Sequence, residues 1–544
     1  MQDDEFHLGH PAEDAYTSLC KDRQPVIDMG RAMAELTIPS VLPPDGYKVG
    51  DDIPGNNQSM NAVAVNTLAS ELMFMAFPPG QPIFRPKINE AKLQKEIDQD
   101  PELYARTQLA LSRLEIAHRE KLATTGIATA YVGYLKLMLV AGNALWKQVK
   151  LDSPTYHPPT KYVVSRATDG HPMVTILEEV VRVSTLDEDV QDQVYANEPE
   201  LKEDRETPEW LRECTIYSVC KLKVRNNERT WLYWQEHKGE VIEGTEVETD
   251  YDDAPMWPGW MIPVFGQNWG RSYCEEYRGD LYTIEAAASG INDLGAVAAW
   301  SLIFTKPGGR TSLRQVQKAR NLDILSGSAE DVTVFRSEKN ADANFMLQHF
   351  EQAARRIGTA FLVQSAVMRQ GERVTKEEVQ RVGRQLDRAM GGLYTGIAQG
   401  SQRRIITRAI RLHEEESKYL PAMPRDTVTI DVITGLDAMG ADNDATNLME
   451  VGMGVNQVFG PGAAAKSLNQ SDFTMRLSAY KGVKPDGLVR DAKEVKAEED
   501  QQQQKMMGAD MLKQAAGPTA GALAQGMMAQ QLQQNQQQPP AEGP

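Results

Sequence analysis

Ser365-Ala-Val-Met-Arg-Gln-Gly-Glu-Arg-Val-Thr-Lys-Glu-Glu378 is a polar run set between two amphipathic repeats, and its reading decides how the chain is laid out. Before it, Met346, Phe350, Ala353, Ile357 and Phe361 recur at helical spacing, with Gln348, Glu351, Gln352 and Arg355 on the opposite face. After it, Val379, Val382, Leu386, Ala389 and Leu393 continue the same period. Gly371 permits a turn, and Thr375 with Glu378 has the spacing of a capping box. The device is helix, tight loop, helix, and the stretch from Trp269 to Glu416 is arranged around it.

At 544 residues the chain is long enough for several cores, so three or four structural regions are expected. A net charge of -18 argues against a simple basic nucleic-acid binder. It leaves room for a protein that DNA slides past without being held. Cys20, Cys214, Cys220 and Cys274 are scattered and suit a reducing compartment. The even spacing of Cys214 and Cys220 on a strand would put both on one face, as core residues rather than a metal pair. The acidic start, Met1-Gln-Asp-Asp-Glu5, lacks the features of a signal peptide. The most apolar stretch, Tyr131 to Trp146, is interrupted by Lys136 and Asn143 and is too short to span a bilayer. The expectation is a cytosolic or packaged protein without membrane insertion.

Residues 12–38 read as helical until Pro39, Pro43 and Pro44 stop the pattern. Ala62 to Phe77 carries Val65, Leu68, Leu72, Met75 and Ala76 on one side. Pro101 to Gly142 is mainly helical, with a break near Thr124-Thr125-Gly126. A hairpin is expected around Asp169-Gly170, and a longer one where Ile216, Val219, Leu222 and Val224 lead through Asn226-Asn227 to Trp231, Leu232, Tyr233 and Trp234. The first half is therefore α+β, with solvated acidic loops at 187–189 and 248–253.

The long helical part begins at Trp269-Gly-Arg-Ser-Tyr-Cys-Glu-Glu-Tyr-Arg-Gly-Asp-Leu281. Leu281, Ile284, Ala288, Ile291, Leu294, Ala298 and Leu302 form an apolar stripe on a helix of about 23 residues, a rod on the order of 35 Å. Such a rod is either a buried core helix or a projecting stalk. Pro307-Gly308-Gly309 is expected to end it. Lys306, Arg310, Arg314, Lys318 and Arg320 follow with no carboxylate before Asp323, a cluster suited to phosphate or an acidic partner, or equally to a solvated helix face. Asp331 to Phe335 alternates like a strand. Gly391-Gly392 is a candidate kink, followed by Arg403, Arg404, Arg408 and Arg411. From Arg355 to Arg411, twelve Lys and Arg face four Asp and Glu, a basic segment in an acidic chain. Thr427 to Ile433 reads as a strand, 441–495 as short helices and turns, and the Gln/Met/Ala-rich remainder as low-complexity tail.

No catalytic constellation emerges. Gly460-Pro-Gly-Ala-Ala-Ala465-Lys466-Ser467 has the outline of a P-loop but places Ala465 where the phosphate turn needs glycine. The eight histidines show no paired metal-ligand spacing, and no Gly-flanked serine nucleophile is present. The expectation is a protein that is no enzyme, without cofactor or metal.

Several short marks then occur together: Glu35-Leu-Thr-Ile-Pro-Ser-Val-Leu-Pro-Pro44, Asn66-Thr-Leu-Ala-Ser-Glu-Leu72, Val140-Ala-Gly-Asn143, Gly270-Arg-Ser-Tyr273, Glu275-Glu-Tyr277, Gly279-Asp-Leu281, Gly371-Glu-Arg-Val-Thr375, Glu377-Glu378 and Thr434-Gly-Leu436. In this order, over about Asp14 to Gly440, the chain resembles the head-to-tail connector, or portal, proteins of short-tailed phages. The resemblance implies a mixed α+β, mainly α portal fold of wing, stem, clip and crown. It implies a ring, usually of twelve copies, around an axial channel for double-stranded DNA during packaging and ejection.

On that model 1–268 is the wing, 269–302 and 341–363 are the stem helices, and 303–340 is the clip. Residues 364–376 are the tunnel loop, 377–440 a long kinked helix with a wing strand, 441–495 the crown and 496–544 the tail. Arg369, Arg373 and Lys376 would face DNA. Lys306, Arg310, Arg314 and Lys318 would dock the terminase motor and later the tail adaptors, with major capsid and scaffolding proteins as further partners. The alternatives are another structural virion protein, such as an internal core or tail adaptor, and a nucleotide-binding enzyme.

Overall fold

The computed structural model describes residues 6–299 apart from 54, 78–82, 90–100, 205–206 and 227; then 302–307, 310–311, 314, 318, 326 and 328–335; and 340–363, 392–417, 423, 427–432, 437–460, 468, 473–474 and 477. Proline or glycine stands at several helix ends, among them Pro11, Pro25, Gly142 and Gly392. Helices α1 (Ala12–Leu19), α2 (Gln24–Leu36) and α3 (Met60–Ala76) come first. Gly126, at φ 72, separates α4 (Pro101–Leu122) from α5 (Ile127–Ala141). Then come α6 (Glu188–Asn197), α7 (Pro199–Glu203), α8 (Tyr273–Glu276), α9 (Arg278–Ala299), α10 (Asn340–Ala360), α11 (Leu393–Ile397), α12 (Arg403–Glu416) and α13 (Asp437–Phe459).

α3 and α5 are apolar nearly all round, as helices at the centre of a core must be. Leu68, Leu72, Tyr134, Leu135 and Met138 are all buried in one cluster that also takes in Leu281 and Ile284 of α9, Ala353 and Ile357 of α10, and Ile405, Ile406 and Ala409 of α12. Among the described residues no single helix is long and apolar enough to cross a membrane.

Among the described residues the strands form four antiparallel sheets. The largest runs β4 (Tyr162–Arg166), β5 (Pro172–Arg182), β6 (Glu213–Arg225), β7 (Glu228–His237), β8 (Glu240–Val241), with β9 (Val247–Asp250) also on β7. Both expected hairpins are present, turning at Gly170 (φ 86) and Asn226 (φ 51). Alternate residues pack on opposite faces: Tyr162, Val164, Cys220, Leu222, Trp231 and Tyr233 on one, Val163, Ile176, Val219, Leu232 and Trp234 on the other. The first face meets β2 (Asn143–Lys147) and β10 (Met256–Trp260), which pair and are extended by β3 (Thr155–His157); the second meets α1. Lys147 reaches across to an ion pair with Glu179 of β5. Both Cys214 and Cys220 are buried free thiols on β6, and burial pushes them up to about 11 and about 12, so neither supplies thiolate near neutrality.

Two small sheets complete the set. β1 (Phe84–Ile88) pairs with β13 (Val428–Val432), so the strand expected near Thr427 closes onto residues far upstream. β11 (Leu302–Thr305) pairs with β12 (Val332–Phe335).

Three expectations are corrected. Helix occupies about half of the described residues, so the fold is mixed α+β rather than mainly α. The helix expected over 269–302 begins at Arg278 and ends at Ala299: Trp269 is buried against Tyr162 in the sheet core, and Leu302 belongs to a strand because Leu-Ile-Phe-Thr has a partner in β12. In the second unit, from Ala441, short helices and turns were expected; instead most of the described part continues α13, a helix of 23 residues that ends only at Gly460, φ 95. The P-loop-like segment therefore follows a helix, where a nucleotide loop follows a strand.

The joint between α5 and β2 shows why glycine stands at 142. Its φ of 77 closes α5, and a Cβ there would lie 2.5 Å from the carbonyl carbon of Arg271 and 2.6 Å from the nitrogen of Ser272. Neither backbone atom can move away cheaply. Replacing Gly142 with Ala combines left-handed strain with overpacking and is expected to cost at least about 2 kcal/mol. A thermal melt within a degree of the parent would refute this.

Candidate functional site: a projecting helix hairpin and its basic tip

The root of the hairpin is built from the motifs around Gly142 and Gly270. The Asn143 side chain donates to the Gly270 carbonyl at 2.7 Å and accepts from the Gly270 amide at 2.9 Å, a two-way clamp across 127 residues. Ser272 then caps α8, accepting from the Glu275 amide at 3.0 Å. Tyr273 donates to the Ala360 carbonyl at 3.1 Å and packs on Phe361, tying the start of the first helix to the end of the second.

α9 and α10 are antiparallel neighbours. Asp280 takes both nitrogens of Arg356 at 2.9 and 2.6 Å, a bidentate contact, and ten residues further along α9 Gly290 faces Met346, ten residues back on α10. That pairing with Arg356 lowers the Asp280 carboxyl below its usual range. Glu285 anchors the hairpin to the preceding strap, accepting from the Asn57 amide and side chain at 2.8 Å and from Gln58 at 3.0 Å.

Burial changes along the pair. Leu281, Ile284 and Ala288 on α9, Ala353 and Ile357 on α10, and Phe361 just after it are buried; beyond Ala288 no described residue of α9 is buried, and Phe345 and Leu347 of α10 are exposed. The sequence left two readings open, core helix or stalk. The answer is both: a rooted base and a projecting outer half.

At the outer end, Asp331 folds the tip. Its carboxylate accepts from the amides of Arg310 at 2.7 Å and Thr311 at 3.1 Å, and its carbonyl accepts from the Lys306 amide at 2.9 Å. Thr311 donates its hydroxyl to the Ser328 carbonyl at 3.1 Å. The Asp331 carboxylate and the Thr311 hydroxyl thus hold the turn by its backbone amides and carbonyls, without using the side chains of Lys306 and Arg310. Lys306, Arg310, Arg314 and Lys318 are all exposed, and none pairs with a carboxylate among the described residues. Arg320, and Arg369, Arg373 and Lys376, which the resemblance implies for a tunnel loop, lie outside the described residues.

The basic run at the end of the segment is used differently. A π-helical turn, Ala398–Gln402, leads into α12, with Ser401 bonded to Tyr134 at 2.8 Å and Gln402 to the Ala76 carbonyl at 3.1 Å. Arg404 stacks on Trp257 at 3.8 Å and lies over Tyr251, and burial lowers its pKa. Arg408 is buried against Asp253 at 3.1 Å and the Gln148 carbonyl at 3.1 Å. Arg411 pairs with Glu414 at 2.8 Å, and Arg403 with Asp252 at 3.0 Å. Arg403, Arg404 and Arg408 join α12 to β10 and the loop before it, whereas Arg411 pairs within α12 and donates to the Met423 carbonyl at 3.2 Å. A shallow cavity of about 270 Å³ lies between Arg403, Thr407 and Arg411, the loop 250–253 and β13.

An α+β body that roots a two-helix stalk with a cationic tip has the build of a structural connector. Residues 10–489 match the family described as bacteriophage head to tail connecting protein, and the chain belongs to that family. It is 28% identical over 524 residues to the portal protein of Escherichia phage T7, covering 95% of this chain and 94% of that one. The portal protein of Enterobacteria phage T3 is 28% identical over 527 residues, 94% of each chain. Among solved structures, the neck of an empty gene transfer agent particle aligns at TM-score 0.37 and 12% identity, over 78% of this chain and 90% of that chain. Membership makes the protein a portal component of the virion, at the head–tail junction, with a structural and not an enzymatic role.

Proposed function

We propose that copies of this chain form a ring, usually of twelve, whose axial channel carries double-stranded DNA into the head and out again. The observation that carries this reading is the α9–α10 hairpin, rooted in a core at one end and without one at the other. Apolar side chains such as Phe345 and Leu347 on the outer half gain cover when hairpins stand side by side around an axis. The hairpin is the stem, residues 303–340 the clip, and 364–376 the loop that narrows the channel. The exposed cations Lys306, Arg310, Arg314 and Lys318 dock the terminase motor and, after packaging, the tail adaptors. Major capsid and scaffolding proteins meet the outer wing, and 441–495 forms the crown.

The net charge of -18 suits a conduit, because phosphate contacts along its whole length would trap DNA through counterion release. Arg369, Arg373 and Lys376 then act as rings of charge at one level. Rings purified and counted by electron microscopy should retain DNA in a salt-sensitive way, and Arg369→Ala with Arg373→Ala should flatten that salt dependence. Retention and salt slope unchanged in the double variant would remove the loop from this role.

A further inference from the structure

The inward face of α4 is a leucine stripe with one titratable member. Leu111, Leu114 and Leu122 are buried at helical spacing, and His118 on the same stripe is fully shielded. Its ring lies edge-on to Phe84 of β1 and to His413 of α12, with centroids 6.1 and 4.8 Å away. The Nδ1 atoms of the two imidazoles are 2.9 Å apart, so one must donate and the other accept. Two imidazolium rings would set N–H against N–H.

The other nitrogen of His118, Nε2, is buried without a hydrogen bond and lies 3.9 Å from Glu414. That carboxylate is already engaged: Oε2 accepts from Arg411 at 2.8 Å and Oε1 from the Met423 amide at 2.9 Å. The favoured arrangement has Nε2–H of His118 towards Glu414 and Nδ1 of His118 accepting from His413. We propose that the His118–His413 contact is a latch released by acid, holding α4 against α12 while both rings are neutral and opening when the pair takes up protons.

Charged groups of both signs face the pair. Arg411, Glu414 and Glu416 come from α12, Lys121 from α4, and Asp152 from the loop after β2. Burial, His413 and Arg411 hold His118 down to about 4 from 6.5, and burial and Lys121 lower His413 against the pull of Glu416, Glu414 and Asp152. One turn back on α4, burial raises Glu115 to about 7 despite Arg85 and Arg119. Its stabilisation is present in acid and lost as pH rises through that value, so it does not drive opening in acid. For His118 the folded value lies below the unfolded one. Its stabilisation is complete above about 6.5 and is lost as pH falls through about 4.

The test measures, on the full chain, the titration of each histidine by imidazole C2–H exchange and the amide protection of 111–122, corrected for intrinsic rates. His118 should titrate well below its free value. Opening releases the Glu115 proton where it takes up the His118 proton, so in Glu115→Gln, where that offset is gone, protection should fall roughly tenfold per pH unit across that window, as net uptake of one proton per opening requires. His118→Leu, which completes the leucine stripe, should keep its protection in acid. A His118 titration near its free value, α4 protection unchanged at pH 4 in Glu115→Gln, or the same acid loss when His118→Leu is added to that variant would each overturn the latch. If His118→Leu does not fold, the wild-type His118 titration and the Glu115→Gln protection decide.

Discussion

Replacing Arg408 with Ala is expected to lower the stability of the fold by about 3–5 kcal/mol, the cost of breaking a buried ion pair by removing one partner. The guanidinium and the Asp253 carboxylate are 4% and 2% exposed, so water cannot take over the abandoned charge. The loss reaches further than one contact, because Arg408 also donates to the Gln148 carbonyl and so fixes the end of β2 to α12. A single large effect is distinguishable from general fragility by the compensating pair. Arg408→Met together with Asp253→Leu removes both charges and should recover most of the loss, since a buried pair replaced by apolar side chains is often neutral. The measurement is the urea midpoint of the tryptophan fluorescence transition, which Trp257 beside this seam helps to report. A loss under about 1 kcal/mol for Arg408→Ala would show that the pair is not held as the geometry indicates.

That seam marks the limit of what the sequence discloses. Features set by local chemistry were legible: the Gly170 and Asn226 turns, the Gly126 break, α3, the period of α10 and the strand at β13. Each depends on residues a few positions apart. The partner of β13 was not legible, because Phe84–Ile88 lies more than three hundred residues away and nothing local links them. The arginines of α12 were read as a basic asymmetry with no target. Targets for three of them, Asp252, Asp253 and the faces of Tyr251 and Trp257, come from β10 and the loop that leads into it from β9. A signal was available in the acidic loop itself, taken in the sequence as solvated surface.

The resemblance marks acquire a physical reason once folded. Asn143 and Gly270 belong to separate marks and form one clamp, and Ser272 and Tyr273 of the second mark cap α8 and tie the root of the α9–α10 hairpin. The histidines illustrate the opposite case. Sequence spacing showed no pair, because His118 and His413 meet only through helix packing. A histidine on a leucine stripe was the cue.

Charge reversal at the tip, Arg310→Glu with Arg314→Glu, is expected to weaken docking of the terminase motor and the tail by about 100-fold or more while the ring stays intact. A single exposed cation contributes little, on the order of 0–1 kcal/mol. Reversal acts differently, because like charges brought together cost several kcal/mol. Every copy in a ring presents the same tip, so the penalty is repeated at each contact and the avidity of a multivalent partner is lost with it. The fold of the tip is spared, since Asp331 holds the turn through the amides of Arg310 and Thr311 and not through the exchanged side chains. Parent docking should weaken as salt rises, and the gap between parent and variant should narrow, because exposed charges are screened over about 10 Å at 0.1 M salt. Image analysis of the purified variant confirms the ring, and packaging and tail attachment are then scored in assembling particles. Normal packaging and tail attachment in the variant would show that the cationic tip is a solvated face and that docking is carried by other parts of the clip.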